Sequence, residues 1–273
     1  MKFLRRISLA VALGNSVWWP GPAAAVEAPA YVALDGTPLA SSNPPGKSER
    51  IEQVEHPLLQ LKRTTAAVPH GTVLVLPGEG YKRLAIDHEG LATAAFLNEQ
   101  GYDAAILEYT IAAGPATRDR ALADGLAAWR LIRGSTEGLA LHGGRFALLG
   151  YSAGGHLAAR ITANVDSEEQ PDFLALVYPA YLEEAAAGTP GPAVQPPKTP
   201  TGKLFVLIAA NDRSEWVGGC RDYCTAWRDR GGAAQLIVLA DGGHGFGMRP
   251  ERPGEAAGWP ALLQEFLAAP SAD

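Results

Sequence analysis

The stretch LLGYSAGGHLAARI, residues 148–161, places one serine between two glycines where an apolar segment gives way to a helical pattern. RFALLGY (residues 145–151) has the continuous apolar character of a buried strand, and AGGHLAARI begins a helix. A serine in the pattern G-x-S-x-G then lies on the sharp turn above the sheet, where side chains two positions before and after it would clash. The pattern therefore predicts a nucleophile elbow at Ser152.

The same turn has two simpler interpretations. It would also fit a glycine-rich strand-to-helix connection without chemistry, or a phosphate-binding site at a helix N-terminus. The apolar strand before the serine and the helix after it favour the nucleophile.

The composition is that of a globular chain with a large core. The 273 residues are 47% hydrophobic and 19% charged, and the formal net charge is -6. This balance argues against intrinsic disorder. No basic stripe is present, so nucleic acid is not expected as a partner.

The N-terminus has the layout of a signal peptide. MKFLRRISLAVALG combines basic residues with a short apolar run, and the small residues of GPAAAVEA offer cleavage sites after Ala25 or Ala28. The apolar run is too short for a stable membrane anchor. We therefore expect residues 1–28 to be removed on export, which places the mature chain in the periplasm or outside the cell.

From residue 49 onward, short apolar runs alternate with helical patterns, which predicts a single α/β domain over residues 49–273. Such runs are typical of strands buried on both faces, so we expect a mostly parallel sheet with helices on both faces. The predicted strands are residues 71–78, 102–109, 145–151, 172–179, 203–212 and 233–242, and the predicted helices besides the elbow helix are residues 87–101, 117–134, 215–231 and 260–269.

Three segments do not follow this alternation. Residues 29–48 are rich in Pro, Ser and Gly, which predicts a linker or a loose arm. Residues 51–63 fit an antiparallel edge strand or a hairpin. Residues 183–202 are too proline-rich for regular structure, and we expect a long surface loop that overhangs a site.

A serine hydroxyl acts as a nucleophile at neutral pH only with a general base that a carboxylate orients. In this arrangement of strands and helices, the acid and then the histidine follow the serine along the chain. His244 in DGGHGFG lies between glycines just after the last apolar strand, and we expect it to be the base. His156 lies within the elbow helix, and we interpret it as a helix residue that bonds a neighbouring loop.

The last predicted strand, residues 233–242, leads to His244. The acid is expected at the end of the strand before it, residues 203–212. KLFVLIAAND ends on Asp212, which is therefore the candidate. Asp241 is too near His244 in sequence to reach round easily, and Asp172 begins a strand rather than ending one. Asp212 is thus predicted to orient the imidazole of His244.

A developing oxyanion needs backbone N–H donors. One is expected from Ala153, the residue after the nucleophile, and another from the loop in VLVLPGEGY (residues 73–81). Its glycines let the backbone approach a substrate, so Glu79 or Gly80 is the candidate donor. A plain turn at the strand end is the alternative.

The two cysteines, Cys220 and Cys224, leave two interpretations open. An exported chain could join them, or both could be ordinary packing residues. No Cys/His set has zinc spacing. The predicted chemistry uses neither a metal nor a cofactor.

Taken together, PGEGY, DHEG, GYSAGGHLA, IAAND and GGHGFG resemble the motifs of α/β-hydrolase esterases related to acetylxylan esterases and bacterial feruloyl/acetyl esterases. The resemblance covers nearly the whole chain after the N-terminal arm. It implies the α/β-hydrolase fold with Ser152 as nucleophile, Asp212 as acid, His244 as base and residues 78–80 as the oxyanion segment. It also implies short acyl esters of plant cell-wall carbohydrate, small or polymeric, as substrates.

Two features depart from that family. The middle glycine of the family's PGGGY is Glu79 here, which puts a carboxylate beside the acyl pocket, where it would repel anionic substrates or point to solvent. The family's YRLP is replaced by YTIA at residues 109–112. His88 and Glu89 match the family's HEG, and we interpret them as loop-ordering residues, with support of the oxyanion loop as the alternative.

Tyr81, Trp216 and Phe246 are predicted to lie in loops beside the site, where each would stack on a sugar or an aromatic acyl group, or simply pack. The sequence as a whole predicts a serine carboxylic-ester hydrolase. Two alternatives remain: a serine peptidase of the prolyl-oligopeptidase type, which uses the same triad, and a non-catalytic binding protein, which Glu79 would favour. Peptidases of that type usually carry a large extra domain, so we expect the esterase.

Overall fold

A nine-stranded sheet forms the centre of the molecule, in the order β2-β1-β3-β5-β4-β6-β7-β8-β9. The computed structural model describes residues 30–43, 50–54, 56–111, 116–183, 193–249, 251 and 254–269. The strands are β1 (Tyr31–Ala33), β2 (Pro38–Leu39), β3 (Leu58–Lys62), β4 (Gly71–Leu76), β5 (Tyr102–Glu108), β6 (Arg145–Tyr151), β7 (Phe173–Val177), β8 (Lys203–Ala209) and β9 (Ala234–Leu239). The six strands β4 to β9 run parallel, as predicted.

The antiparallel side of the sheet differs from the prediction. β3 pairs with β5 on one side and with β1 on the other, so residues 51–63 do not supply an edge strand. Part of residues 29–48 forms β1 and β2 rather than a linker or loose arm. The side-chain amide of Asn43 donates to the carboxylate of Glu108 in β5 over 2.7 Å, which fastens this segment to the sheet, and the amide of Gln60 in β3 donates to the same carboxylate over 2.6 Å.

Six α-helices in the described residues connect or flank these strands. They are α1 (Ala92–Glu99), which continues a π-helical turn at Ile86–Leu91, α2 (Thr117–Gly134), α3 (Thr136–Leu139), α4 (Ser152–Ala163), α5 (Ser214–Asp229) and α6 (Trp259–Ala268). The four predicted helices and the elbow helix are present, and the short α3 was not predicted. None of these helices is both long enough and apolar enough to cross a membrane.

Helices cover both faces of the sheet. On one face, Tyr151 of β6 hydrogen-bonds Thr93 of α1 over 2.7 Å and packs edge-on against Trp259 of α6. α2 and α4 pack together at Gly125, where an added Cβ would lie 2.5 Å from the side chain of Ile161. Every residue of β4, β5 and β7 is buried, as expected for strands covered on both sides.

Two predicted segments lie outside the part of the chain that the structure describes. These are the signal peptide at residues 1–28 and residues 184–192 of the predicted surface loop. The remainder of that loop, residue 183 and residues 193–202, contains no helix or strand.

Candidate active site

Ser152 lies on the tight turn between β6 and α4, at the carboxyl end of the sheet. Its φ angle is 49°, in the left-handed region that only a constrained turn imposes on a serine. A Cβ on Gly150 would lie 2.3 Å from the carbonyl oxygen of Gly154, and one on Gly154 would lie 2.0 Å from that of Leu76. Glycine is therefore required at both positions, and the turn has the elbow geometry predicted from the sequence.

The structure brings Ser152, His244 and Asp212 together. Oγ of Ser152 lies 2.8 Å from Nε2 of His244, and Nδ1 of His244 lies 2.7 Å from Oδ2 of Asp212. A carboxylate only accepts hydrogen bonds, so Nδ1 carries the imidazole proton and Nε2 accepts from the serine hydroxyl. This is the arrangement in which the imidazole can take the hydroxyl proton.

Two residues at the end of β8 fix the loop that carries His244. This loop, residues 241–247, is called the histidine loop below. The side chain of Asp212 is 1% exposed, whereas that of His244 is 29% exposed, so the imidazole is accessible and the carboxylate that bonds it is not. Next to Asp212, the side-chain oxygen of Asn211 accepts from the N–H of Gly243 over 2.8 Å. The dipeptide Asn211–Asp212 thus fixes both the loop backbone and the ring.

The rival acids have other partners. Asp241 accepts from the N–H of Glu255 over 2.9 Å, and Asp172 accepts from the N–H of Phe146 over 2.7 Å near the start of β7. Both carboxylates fix backbone turns. Neither is a hydrogen-bond partner of His244 among the described residues.

His156 is buried in α4 and takes no part in the hydrogen-bonded chain of Ser152. Its Nδ1 lies 2.7 Å from the hydroxyl of Tyr81, in the loop after β4, which is the kind of contact expected from the sequence. Burial and then the positive charges of Arg118 and Arg160 lower the pKa of His156 to about 3. The ring is therefore neutral over the physiological range.

The segments expected to supply oxyanion donors meet at the nucleophile. A Cβ on Gly78 would lie 2.8 Å from the Cβ of Ser152, so the loop after β4 touches the elbow. The N–H groups of Glu79, Gly80 and Ala153 have no acceptor within the described part of the chain. Ala153 is in the first turn of α4, where such N–H groups are free to bind an anion.

The carboxylate of Glu79 is held by two arginines. It is therefore neither an unpaired charge beside the serine nor a group that points freely to solvent. It accepts from Nε of Arg50 over 2.7 Å and also pairs with Arg83. Arg50 in turn bonds Asp87 over 2.8 Å. The backbone of Glu79 has a φ angle of 100°, a conformation in which glycine is the usual residue.

His88 and Glu89 lie behind the predicted oxyanion loop, residues 78–80. Glu89 is 2% exposed and accepts from the N–H of Gly78 over 2.7 Å. The backbone oxygen of His88 accepts from the N–H of Met248 over 2.9 Å. Both residues therefore order loops around the site.

Of the three predicted aromatic contacts, one lies next to the base. Trp216 is in the first turn of α5, rather than in a loop, and its ring is 4.5 Å from that of His244. Tyr81 is 4% exposed and Phe246 is fully buried against Tyr178. The structure therefore does not place Tyr81 or Phe246 where a substrate would stack, because both side chains are packed into the core.

Sequence reasoning missed Tyr178 and Tyr181, which follow β7 in the run YPAY. The ring of Tyr178 lies 5.1 Å from the ring of His244. Tyr181 packs on Trp216, with ring centroids 5.8 Å apart, and the guanidinium of Arg118 lies 4.4 Å from the centre of its ring. Their position after a parallel strand was the available signal, because the carboxyl ends of such strands collect functional groups.

Both cysteines are free and buried in α5. Burial raises the pKa of Cys220 well above its usual value and that of Cys224 to about 12. They are therefore packing residues in this structure. Across the ranges described above, no group of three or more His, Cys, Asp or Glu side chains is placed to hold a metal ion.

Comparison of the sequence with known proteins gives two matches. A family model described as alpha/beta hydrolase fold matches residues 105–212. An acetylxylan esterase from Xylanibacter ruminicola is 28% identical over 205 residues, which cover 66% of this chain and 42% of the relative. The chain thus spans less than half the length of that curated relative.

Comparison of the structure gives the same picture. An acetyl ester-xyloside bifunctional hydrolase from Caldicellulosiruptor lactoaceticus has a TM-score of 0.67 at 22% identity, covering 86% of this chain and 94% of that one. A carboxylesterase from Lactobacillus plantarum has a TM-score of 0.62 at 21% identity, covering 78% and 94%. At these identities the likeness concerns the fold.

Proposed function

We propose, from the premise that this chain has the α/β-hydrolase fold, that it is a serine carboxylic-ester hydrolase acting through an acyl-enzyme. The observation that carries the proposal is the hydrogen-bonded chain from Asp212 through His244 to Ser152, with distances of 2.7 and 2.8 Å. The last member of this series of hydrogen bonds is the Ser152 hydroxyl on the elbow turn. It lies beside backbone N–H groups that have no acceptor in the described residues. Each element has a role in acyl transfer.

In the acylation half, Oγ of Ser152 forms a bond to the ester carbonyl carbon while Nε2 of His244 takes the hydroxyl proton. The negative charge moves to the carbonyl oxygen, which the N–H groups of Ala153 and of Glu79 or Gly80 stabilise. Asp212 keeps the imidazolium oriented. The bond to the alcohol oxygen then breaks, and the alcohol leaves with the proton from His244.

In the deacylation half, water occupies the place of the alcohol. His244 takes a proton from water while the water oxygen bonds to the acyl carbon. This step forms a second tetrahedral intermediate. The bond to Oγ breaks and the proton returns to Ser152, so that the acid is released and the free enzyme is restored. No group beyond this chain and water takes part.

Short acyl esters, carbohydrate-linked, are the substrates that we propose. Support comes from Trp216, which is half-buried beside His244, and from Tyr181 behind it, because aromatic faces stack on the apolar faces of sugar rings. Similarity to an acetylxylan esterase and to an acetyl ester-xyloside hydrolase also supports this class. Export of the chain, proposed from residues 1–28, fits a polymeric substrate.

The alternative of a non-catalytic binding protein rested on Glu79. Its carboxylate is held by Arg50 and Arg83, so it does not obstruct the serine as a free charge would. A peptidase would use the same three residues. Only the substrates that the protein hydrolyses, esters or peptide anilides, distinguish the two alternatives.

A fluorophosphonate probe and two chromogenic substrates test the proposal. We expect the wild-type chain to be labelled and to hydrolyse p-nitrophenyl acetate but not peptide anilides, and we expect Ser152→Ala to abolish both labelling and hydrolysis. A folded wild-type chain without labelling would favour the binding protein, and anilide turnover would favour the peptidase. Acetylated and feruloylated xylo-oligosaccharides then define the acyl group.

A further inference from the structure

The carboxyl group of Glu89 lies between the two loops that the proposed reaction uses. Glu89 is in the π-helical turn before α1 and is 2% exposed. Its Oε2 accepts from the N–H of Gly78, and Gly78 lies against Ser152. This bond fixes the start of the oxyanion loop beside the nucleophile.

The other oxygen of the same carboxyl group leads to the histidine loop. Oε1 of Glu89 accepts from the hydroxyl of Tyr178 over 2.8 Å, and that hydroxyl accepts from the N–H of Gly247 over 2.8 Å. Gly247 is three residues after His244. The ring of Tyr178 also packs 5.1 Å from the imidazole.

We propose that Glu89 is a positioning residue that, through Tyr178, sets the placement of the oxyanion loop relative to His244. The inference rests on the proposed esterase function. It follows from the chain of three hydrogen bonds from Gly78 to Glu89, from Glu89 to Tyr178 and from Tyr178 to Gly247. Because the donors and the base must hold one geometry for the transition state, a link between the two loops acts on the rate.

The ionised carboxylate is the form that satisfies this chain. Both oxygens of Glu89 accept, one from an N–H that cannot accept in return and one from a hydroxyl. A proton on Oε2 would face the N–H of Gly78. A proton on Oε1 would turn the hydroxyl of Tyr178 into an acceptor from both sides and leave its own hydrogen without a partner. Protonation therefore either removes the bond from Gly78 or reverses the bond to Tyr178 and leaves the tyrosine hydrogen unpartnered.

The surroundings of Glu89 put its titration in the neutral range. Burial is the largest cause that raises the pKa of Glu89 from 4.5 to about 7, and its two hydrogen bonds oppose the rise. Among charged groups, Glu79 raises this pKa further and a protonated His244 lowers it. His88 also faces the carboxyl group, with Nε2 3.8 Å from Oε1.

The other titratable groups around Glu89 are neutral tyrosines. Tyr109 follows β5, Tyr151 ends β6 and Tyr178 follows β7, and burial raises the pKa of each hydroxyl well above its ordinary value. These groups do not titrate where Glu89 does. When the pH falls through neutrality, Glu89 therefore loses its negative charge, whereas the tyrosine hydroxyls around it stay protonated and uncharged.

Glu89→Gln tests the link, because glutamine keeps the shape but offers one acceptor oxygen instead of two. We expect kcat for p-nitrophenyl acetate to fall about 10- to 100-fold with little change in KM, since a misplaced loop affects the transition state. Glu108→Gln is the matched control, because Glu108 is equally buried and bonds Asn43 and Gln60 away from the site. Its kcat should stay within about threefold of wild type.

The pH profile separates positioning from a merely structural role. As the pH drops through the pKa of Glu89, wild-type kcat should fall by an additional factor of about 10 to 100 beyond the loss from protonation of the general base, so the acidic limb of log kcat against pH is steeper than one over that range. In Glu89→Gln the slope should be one. An unchanged slope, or a wild-type kcat in the variant, would overturn the inference.

Tyr178→Phe breaks only the arm that leads to the histidine loop. Because both changes interrupt the same chain, the double variant should lose no more activity than the worse single variant, whereas multiplied losses would contradict a shared chain. If Glu89→Gln folds poorly, Tyr178→Phe alone still tests the inference, because its kcat should fall and a wild-type kcat would overturn the link.

Amide exchange gives a readout that does not depend on turnover. The N–H of Gly247 should exchange faster in Tyr178→Phe, and in Glu89→Gln, which keeps one acceptor oxygen, the N–H of Gly78 or that of Gly247 should exchange faster. If the wild-type chain hydrolyses no ester, the proposed function fails and this exchange pattern alone decides whether the link exists. If wild-type turnover is present and the exchange rates do not change, only the inference fails.

Discussion

Gly78 and Ser152 lie so close together that a methyl group on Gly78 would stand 2.8 Å from the Cβ of Ser152 and 2.5 Å from the carbonyl oxygen of Tyr151. Gly78→Ala should therefore push the oxyanion loop away from the nucleophile and lower kcat at least about 100-fold, since a displacement near 1 Å has that effect. Overpacking should also lower the free energy of unfolding by about 1 to 3 kcal/mol. Ester turnover and urea unfolding measure the two effects.

Gly143→Ala is the control for that substitution. No atom lies within 4 Å of a Cβ added there, and its φ angle is not in the left-handed region. Turnover and stability should match wild type. Equal activity of the two alanine variants would show that the contact between Gly78 and Ser152 is not required.

Asp212→Asn should remove the acceptor that fixes the tautomer of His244. The expected loss in kcat is on the order of 10³- to 10⁴-fold, with an unchanged circular dichroism spectrum. Asp241→Asn, which changes a carboxylate that bonds the N–H of Glu255 instead, should keep most of the activity. A larger loss in Asp241→Asn than in Asp212→Asn would assign the acid to residue 241.

Trp216→Ala should affect carbohydrate esters more than small chromogenic esters. The indole ring lies 4.5 Å from the imidazole and packs on Tyr181, so its loss removes a stacking face next to the base. We expect kcat/KM for an acetylated xylo-oligosaccharide to fall about 3- to 10-fold relative to p-nitrophenyl acetate. Trp216→Phe, which keeps a ring, should recover part of that selectivity, and equal losses on both substrates would contradict a sugar-stacking role.

His156 should make the fold less stable as the pH falls. Its pKa is lowered from 6.5 to about 3 by burial, so the unfolded chain binds a proton between these values and the folded chain does not. The free energy of unfolding should consequently drop by roughly 1 kcal/mol for each pH unit below 6.5 from this residue alone. In His156→Gln, where the side chain does not titrate but can accept from Tyr81, urea unfolding at pH 7 and pH 5 should show a smaller difference than in wild type.

The predicted strands are present because each is a continuous apolar run in a sheet covered on both faces. The placement of Asp212 and His244 was predictable for a related reason. Both residues follow neighbouring parallel strands, whose carboxyl ends lie side by side. Spacing along the sequence thus translated directly into proximity in space.

Loops gave no such periodicity, and the differences occur there. Tyr81 and Phe246 follow strands and have the composition of a binding loop, yet both are buried because the loop backbones turn their side chains inward. The partners of Glu79 were not predictable either, since Arg50 precedes the sheet and the contact depends on the tertiary fold. Strands of two and three residues, such as β1 and β2, are too short to show an alternation.

The short strand β2 also determines how the sheet meets other molecules. It consists of Pro38 and Leu39, and proline has no N–H to donate to an incoming strand. A border strand that is this short and contains proline is a poor template for extension, which is a common protection against aggregation. Among the described strands, β9 is the longer border strand, with six residues against two, so charge-introducing substitutions intended to keep the protein monodisperse belong on that opposite border.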